Sequence, residues 1–180
     1  MPIVAADILY KFSIKTGSAG NTASQSSGDA SLGKYIATNQ VTTATLHELF
    51  DQVSGDENAV SDVEYRCVFI HNNHATLTLQ APLVWLVSEV ALGATAAISI
   101  DSTAASAIGA SSAQALSVTN ESTAPSAITF SAPTTKGAGL SLGDLAAGSC
   151  RAVWIRRTAN NSDALDADGV TIRVEGDTAA

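Results

Sequence analysis

Residues 63–70 (VEYRCVFI) and residues 150–157 (CRAVWIRR) are the two stretches that decide the fold of this chain. Both are rich in the branched and aromatic residues that suit a pleated, half-buried strand. The rest of the chain consists largely of Ala, Ser, Thr and Gly. We therefore predict a small β core built on these two strands. The rest of the chain should form extended surface segments of small residues. Such a construction is typical of a structural or binding module.

The composition limits the class of protein. The 180 residues suit one domain, or one domain with an arm. Aromatic residues make up only 5% of the chain, and charged residues 14%, against roughly 25% in typical soluble domains. A surface this poor in charge is covered either by small polar side chains or by another protein chain. The net charge of −8 argues against nucleic acid and against an anionic membrane surface as partners.

Several short segments have the alternation of a strand. Residues 8–14, 96–100 and 170–174 alternate apolar and polar side chains, and residues 83–90 are nearly all apolar. We expect residues 76–79 to form a hairpin with residues 63–70. Residues 115–118 and 128–130 should form two further strands. The predicted fold is all-β: a β-sandwich, immunoglobulin-like or jelly roll, with one short helix and an extended N-terminal region.

The helix is predicted over residues 45–53, and the domain boundary near residue 34. The spacing of the apolar residues in 45–53 matches one face of a helix, a capping box opens it, and Ser54-Gly55 supplies the stop. Residues 16–33 are a low-complexity stretch that should bury no apolar area. We therefore divide the chain into residues 1–34, an N-terminal strand with a flexible Gly/Ser-rich arm or loop, and residues 35–180, the sandwich domain.

Two groups of side chains could bind a metal ion, although a simpler interpretation exists for each. His71 and His74 lie three residues apart, but no second pair completes a zinc site, so exposed turn residues are the simpler reading. Asp163, Asp166 and Asp168 lack the spacing of an EF-hand and read as a solvated acidic turn. A nucleophile elbow and a phosphate-binding loop are absent from the sequence. We expect no enzyme activity, no cofactor, and no catalytic, cofactor-binding or metal residues.

Cys67 and Cys150 belong to the two bulky segments. The simpler interpretation is two buried thiols that act as small hydrophobic groups, and the alternative is a disulfide across the sandwich. Residues 1–14 lack the features of a secretory signal peptide, which favours the thiols and synthesis in a cytoplasm.

The arginines of the two bulky segments need carboxylate partners if they are buried. Strand alternation places Arg151 on the face of Val153 and Ile155, and Arg156 on the opposite face. The available carboxylates on neighbouring candidate strands are Glu64, Glu175 and Asp177. The arginines could form cross-strand pairs within one subunit, or some of them could face a neighbouring subunit.

From about residue 30 onward, the chain resembles small structural proteins of tailed bacteriophages. The resemblance lies in residues 46–55 (LxxLFDxVSG), 64–67 (EYRC), 71–72 (HN), 77–79 (LTL), 121–125 (ExTAP), 130–133 (FSAP), 142–157 and 173–178 (RVEGDT). It implies a virion protein, and a capsid decoration or cement protein fits the composition best.

That resemblance carries expectations about partners and location. It implies a homotrimer that binds the major capsid protein on the capsid exterior of the virion, after assembly in the host cytoplasm. We expect residues 91–132 to mediate self-association and residues 2–34 to contact the shell.

Two alternatives stay open: a tail or neck component, and a host-surface or carbohydrate-binding module. The last would need exposed aromatic side chains, for which Tyr35, Trp85 and Trp154 are the candidates.

Overall fold

The computed structural model describes residues 2–90, 92–163 and 168–178. Its α-helix and strands are joined mainly by turns and long loops. Two short 3-10 turns occur at Ala5–Asp7 and Lys136–Ala138. The α-helix and the strands are β1 (Ile8–Ile14), β2 (Tyr35–Gln40), α1 (Gly55–Val60), β3 (Val63–Asn72), β4 (Leu79–Glu89), β5 (Thr95–Ile100), β6 (Ser106–Ala107), β7 (Leu140–Ser141), β8 (Ser149–Thr158) and β9 (Val170–Thr178).

These strands form two antiparallel sheets, which confirms the predicted β-sandwich. The larger sheet has the order β2-β1-β3-β8-β5, with β6 also paired to β8, and the smaller sheet has the order β7-β4-β9. The main hydrophobic core lies between them and includes Val68 and Ile70 from the larger sheet, and Val84 and Leu86 from the smaller one.

The two bulky segments are adjacent central strands. β3 pairs with β8 in continuous register from Val63–Thr158 to His71–Cys150. Because successive side chains in a strand point to opposite faces, Val68 and Ile70 face the smaller sheet, while Cys67 and Phe69 face away from it. All four are buried, so this pair of strands is covered on both faces.

The face of the larger sheet that points away from the smaller sheet is covered by loops. We call residues 16–34 and 101–135 the loop layer. Leu32, Ala115 and Val118 from this layer form a second core with Phe69 and Trp154. The prediction of two strands at residues 115–118 and 128–130 is therefore wrong, because the strand-like pairings at or next to these segments are isolated bridges, of Ser117 with Gly33 and of Ser131 with Ile98.

Residues 16–33 also differ from their prediction. Ser31 and Leu32 are buried, and the backbone N–H groups of Asn21 and Thr38 form hydrogen bonds of 2.7 and 3.0 Å between this segment and β2. The expectation that this stretch buries no apolar area is therefore wrong, because it packs on its own domain. The division of the chain at residue 34 stays a prediction.

The predicted helix over residues 45–53 is also wrong, since α1 begins only at Gly55. Ser54 caps its N-terminus instead of stopping an earlier helix: the Ser54 Oγ accepts from the Glu57 N–H at 3.2 Å, and Glu57 accepts from the Ser54 N–H at 2.6 Å. Ala44 and His47 adopt left-handed backbone angles, which interrupt any helix upstream. No helix in the described residues is long and apolar enough to cross a bilayer.

The hairpin predicted after β3 is replaced by a crossing between the sheets. β3 lies between β1 and β8, whereas β4 begins at Leu79 and pairs with β7 and β9 in the smaller sheet. The apolar run at residues 83–90 is buried on both faces only in its middle, because the end of β4 from Val87 to Glu89 is exposed.

Gly33 provides a test of the contact between the loop layer and the sheet. Its φ of +88° is left-handed, and an added Cβ would lie 1.9 Å from the Leu116 carbonyl oxygen. We expect Gly33→Ala to lower the free energy of unfolding by at least about 2 kcal/mol, measured by urea denaturation. Gly109→Ala is the matched control, because an added Cβ meets nothing within 4 Å there. Equal stability of the two variants would contradict the described packing.

Candidate functional site

Arg66 lies at the centre of a cluster of charged side chains at the beginning of β3. Its side chain is fully buried, and its Nη2 lies 2.5 Å from Glu121 and 3.0 Å from Asp29, both of which come from the loop layer. Its Nε donates to the Leu49 carbonyl oxygen at 3.0 Å. One guanidinium therefore joins three loops to the central strand.

Arg157 completes this cluster from the end of β8. It faces Glu64 in the β3–β8 register and forms an ion pair with it, and a second pair with Asp51 at 3.0 Å. Burial raises the pKa of Glu64, and the Arg157 guanidinium opposes that rise. The Phe50 ring lies 5.1 Å from the Arg66 guanidinium carbon and 5.0 Å from that of Arg157. We call these residues, with Asp29 and Glu121, the arginine cluster.

The other two arginines of the central strands also contact their own subunit. Arg151 donates to the carbonyl oxygens of Leu142 and Asp101 at 3.3 and 3.2 Å, although its Nε has no partner in the described residues. Arg156 lies over the Phe130 ring at 5.4 Å. Of the two arrangements left open for these arginines, a cross-strand pair within one subunit occurs for Arg157 with Glu64. Glu175 instead pairs with Arg173 and Lys136 at the surface.

Asp101 holds the second segment of the loop layer against β8. Its buried carboxylate accepts from the Trp154 Nε1 at 2.7 Å and from the Leu116 N–H at 2.9 Å. The Thr103 N–H donates to the same carboxylate at 2.7 Å. Three donors satisfy a charge that burial would otherwise penalise.

Gln114 and Ser31 of the loop layer also form buried hydrogen bonds to the larger sheet, Ser31 with Ser13 of β1 among its partners. The Gln114 Oε1 accepts from the Ile36 N–H at 3.1 Å, and its Nε2 donates to the Ala107 carbonyl oxygen at 2.9 Å. Ser31 donates to the Cys67 carbonyl oxygen at 2.7 Å and accepts from the Ser13 N–H at 2.9 Å. These buried polar residues tie the loops to the larger sheet, and the sequence patterns indicated none of them.

The outer surface of residues 101–135 carries little charge. Its exposed residues are Ala, Ser, Thr, Asn or Gly, and the one acidic side chain that reaches the surface, that of Glu121, is 41% exposed and forms an ion pair with buried Arg66. Small side chains lose little rotamer entropy when another surface covers them. The buried hydrogen bonds therefore hold in place a face of small side chains with little charge, and this face is the candidate contact surface of the molecule.

The metal site considered at His71 and His74 is not formed. His71 is buried in β3, which corrects the expectation that it is an exposed turn residue. The His74 Nδ1 accepts from the Leu77 N–H at 3.0 Å. No group of three or more His, Cys, Asp or Glu side chains in the described residues could hold a metal ion. Of the Asp163–Asp168 loop, Asp166 lies outside the described residues, and Asp168 accepts from the Ala94 N–H at 2.6 Å.

Cys67 and Cys150 are both buried free thiols. Cys150 pairs with His71, which lies four residues beyond Cys67 in β3, so the two cysteines are roughly 13 Å apart along the sheet. A disulfide needs Cα atoms less than about 7 Å apart. Burial raises the pKa of the Cys150 thiol to about 12 and that of Cys67 well above its usual range.

The three aromatic residues considered for carbohydrate binding are not exposed. Tyr35 and Trp85 are each 6% exposed, and Trp154 is fully buried. A sugar-binding platform requires exposed aromatic faces, so these residues give that alternative no support.

The arginine cluster predicts a large effect of removing Arg66. Arg66→Met leaves buried Glu64 with one fewer cation and frees the Leu49 carbonyl oxygen, so we expect a loss of about 3 kcal/mol in the free energy of unfolding. Arg173→Met is the control, because its side chain is 58% exposed and a surface pair contributes about 1 kcal/mol or less. Urea denaturation of both variants measures the difference. A similar small loss in both would mean that the cluster does not stabilise the fold.

His71 predicts a fall in stability on mild acidification. Burial, with a smaller effect of Lys11, lowers the pKa of His71 from 6.5 to about 4. Between these values the unfolded chain binds a proton that the folded chain does not, so stability falls as the pH drops below 6.5. From pH 7 to pH 5.5 we expect a loss of about 1 kcal/mol by urea denaturation. His71→Gln should remove most of this dependence, and an unchanged slope would exclude His71 as its source.

Comparison with known proteins returned no match for this chain, neither among protein-family models, nor among curated protein sequences, nor among solved structures. The evidence on function is therefore the residues themselves, above all the outer face of residues 101–135.

Proposed function

We propose that this protein is a structural component of a phage virion, a decoration protein that binds the outside of the capsid shell and reinforces it. The observation that carries the proposal is the outer face of residues 101–135, whose only charged side chain is the ion-paired Glu121 and which buried Asp101 and Gln114 hold in place. A preorganised face of this kind loses little entropy on association and suits contact with another chain. The resemblance to phage structural proteins points the same way.

The proposed mechanism is the repetition of a modest contact. Each copy would use the face of residues 101–135 to contact its own kind in a homotrimer, and another surface to contact the major capsid protein. Contacts that are weak singly become strong when several are made at once by linked copies on a symmetric shell. The arginine cluster then serves the scaffold: it keeps the central strands and three loops rigid beneath the contact face.

The mass of the purified protein, alone and mixed with empty head shells, tests this proposal. We expect a trimer in solution by light scattering, co-sedimentation with shells made from the major capsid protein, and a higher melting temperature of the decorated shells. A monomer that leaves the shells unchanged would contradict the proposal. Gold-labelled antibody on whole particles separates a head location from a tail or neck location.

Two variants make the test specific to the proposed contact face. Ala113→Lys together with Ser126→Lys places two charges on exposed positions of residues 101–135 and should reduce the trimer to a monomer. Asp177→Lys, on exposed sequence in β9, is the control and should leave the mass unchanged. An unchanged trimer in the double variant would exclude this face as the site of self-association.

A further inference from the structure

One end of the sandwich gathers three exposed segments around the end of β8. We call this surface the acidic end: α1 with residues 61–62, the turn at residues 92–94, and residues 159–163 with 168–169. The segments are joined by hydrogen bonds from the Ala159 N–H to the Asp62 carbonyl oxygen, from Asn160 to the Gly93 carbonyl oxygen and from Asn58 to the Ser162 carbonyl oxygen, at 2.9, 2.6 and 2.7 Å.

The acidic end displays the two most exposed large hydrophobic residues of the described chain. Val60 is 74% exposed and Leu92 is 82% exposed. Thr158 pairs with Val63 on one side and with Thr95 on the other, so Val63 and Thr95 lie roughly 10 Å apart, and Val60 and Leu92 each come three residues earlier in the chain. Both side chains therefore lie at the same end of the larger sheet.

Leu92 is unfavourable in two ways if nothing binds it. Its apolar side chain faces solvent, and its φ of 70° lies in the left-handed region, which costs about 1–2 kcal/mol for a residue other than glycine. An Asn at this position would suit both the backbone and the solvent. A leucine is explained if a partner buries it.

The charge of this surface indicates the chemistry of that partner. The described residues of the three segments, with the end of β4, contain six carboxylates, those of Asp56, Glu57, Asp62, Glu89, Asp163 and Asp168. The nearby cations at the end of β8 are half-buried: Arg157 pairs with Glu64 and Asp51, and Arg156 lies over the Phe130 ring. These carboxylates do not form a cation site, since no group of three or more metal-binding side chains occurs in the described residues. An apolar centre with an acidic border complements an apolar patch bordered by Lys and Arg.

We propose that the acidic end is the docking face for the shell protein, which presents an aliphatic patch bordered by basic residues. This inference rests on the proposed function and moves the expected shell contact from residues 2–34 to this end of the molecule. A second copy of the chain is not the occupant, because pairing two acidic ends would place like charges against one another. Residues 101–135 remain the face for self-association.

The apolar centre is tested by Leu92→Asn combined with Val60→Gln. Both changes suit their local backbone, Asn in the left-handed region and Gln in a helix, so the melting temperature should stay equal or rise. Binding to empty head shells, measured by co-sedimentation, should weaken at least about tenfold. A lower melting temperature with unchanged binding would show a structural role instead and overturn the inference.

The acidic border is tested by Asp56→Lys combined with Asp163→Lys. We expect shell binding of the unaltered protein to weaken as salt rises, and the double variant to lose both affinity and salt dependence. Val4→Asn with Asp177→Lys is the control at the opposite end, where Val4 is 53% exposed, and should bind like the unaltered protein.

The outcomes separate this inference from the proposed function. If the unaltered protein binds shells and only the control pair weakens binding, the N-terminal end is the docking face and the inference is wrong. If the variants at the acidic end change the mass of the free protein, that end mediates self-association, which also contradicts it. If the unaltered protein does not bind shells, both proposals fail together.

Discussion

The fold depends on one constraint: the β3–β8 pair is apolar on both faces and must be covered twice. The smaller sheet covers one face with side chains such as Val84 and Leu86. The chain is poor in aromatic residues, at only 5%, and loops cover the other face. The other strands of the larger sheet extend it sideways: β1 and β2 lie beside β3, and β5 and β6 pair with β8.

The loop cover is held by buried polar groups where another protein would use large apolar side chains. Asp101, Gln114 and Ser31 each bind two or more separate parts of the chain, and an unpaired group at any of these positions would cost free energy. Such directional contacts specify one loop conformation more strictly than apolar packing of Ala and Ser could. An outer face made of small side chains with little charge can therefore be held in place, which is the property that the proposed contact surface requires.

Much of the scaffold could be predicted, because alternation reports directly on strands. The positions of β1, β3, β5, β8 and β9 agree with the sequence patterns, and Glu64, one of the three carboxylates considered for the arginines, pairs with Arg157. The helix was misplaced because the spacing of Leu49 and Phe50 also suits an irregular loop that packs on the core, and the left-handed Ala44 and His47 leave no sequence signal. The hairpin prediction was wrong because residues typical of a turn do not indicate which sheet the next strand joins. Asp29 and Glu121 could not be assigned to Arg66, since they lie on loops with no periodicity.

The distance between the two cysteines bears on how the folded chain responds to a reducing agent. Cys67 and Cys150 are its only cysteines, both are buried, and burial keeps both thiols protonated. With no bond between the two thiols, the folded chain has no cysteine cross-link that a reducing agent could remove.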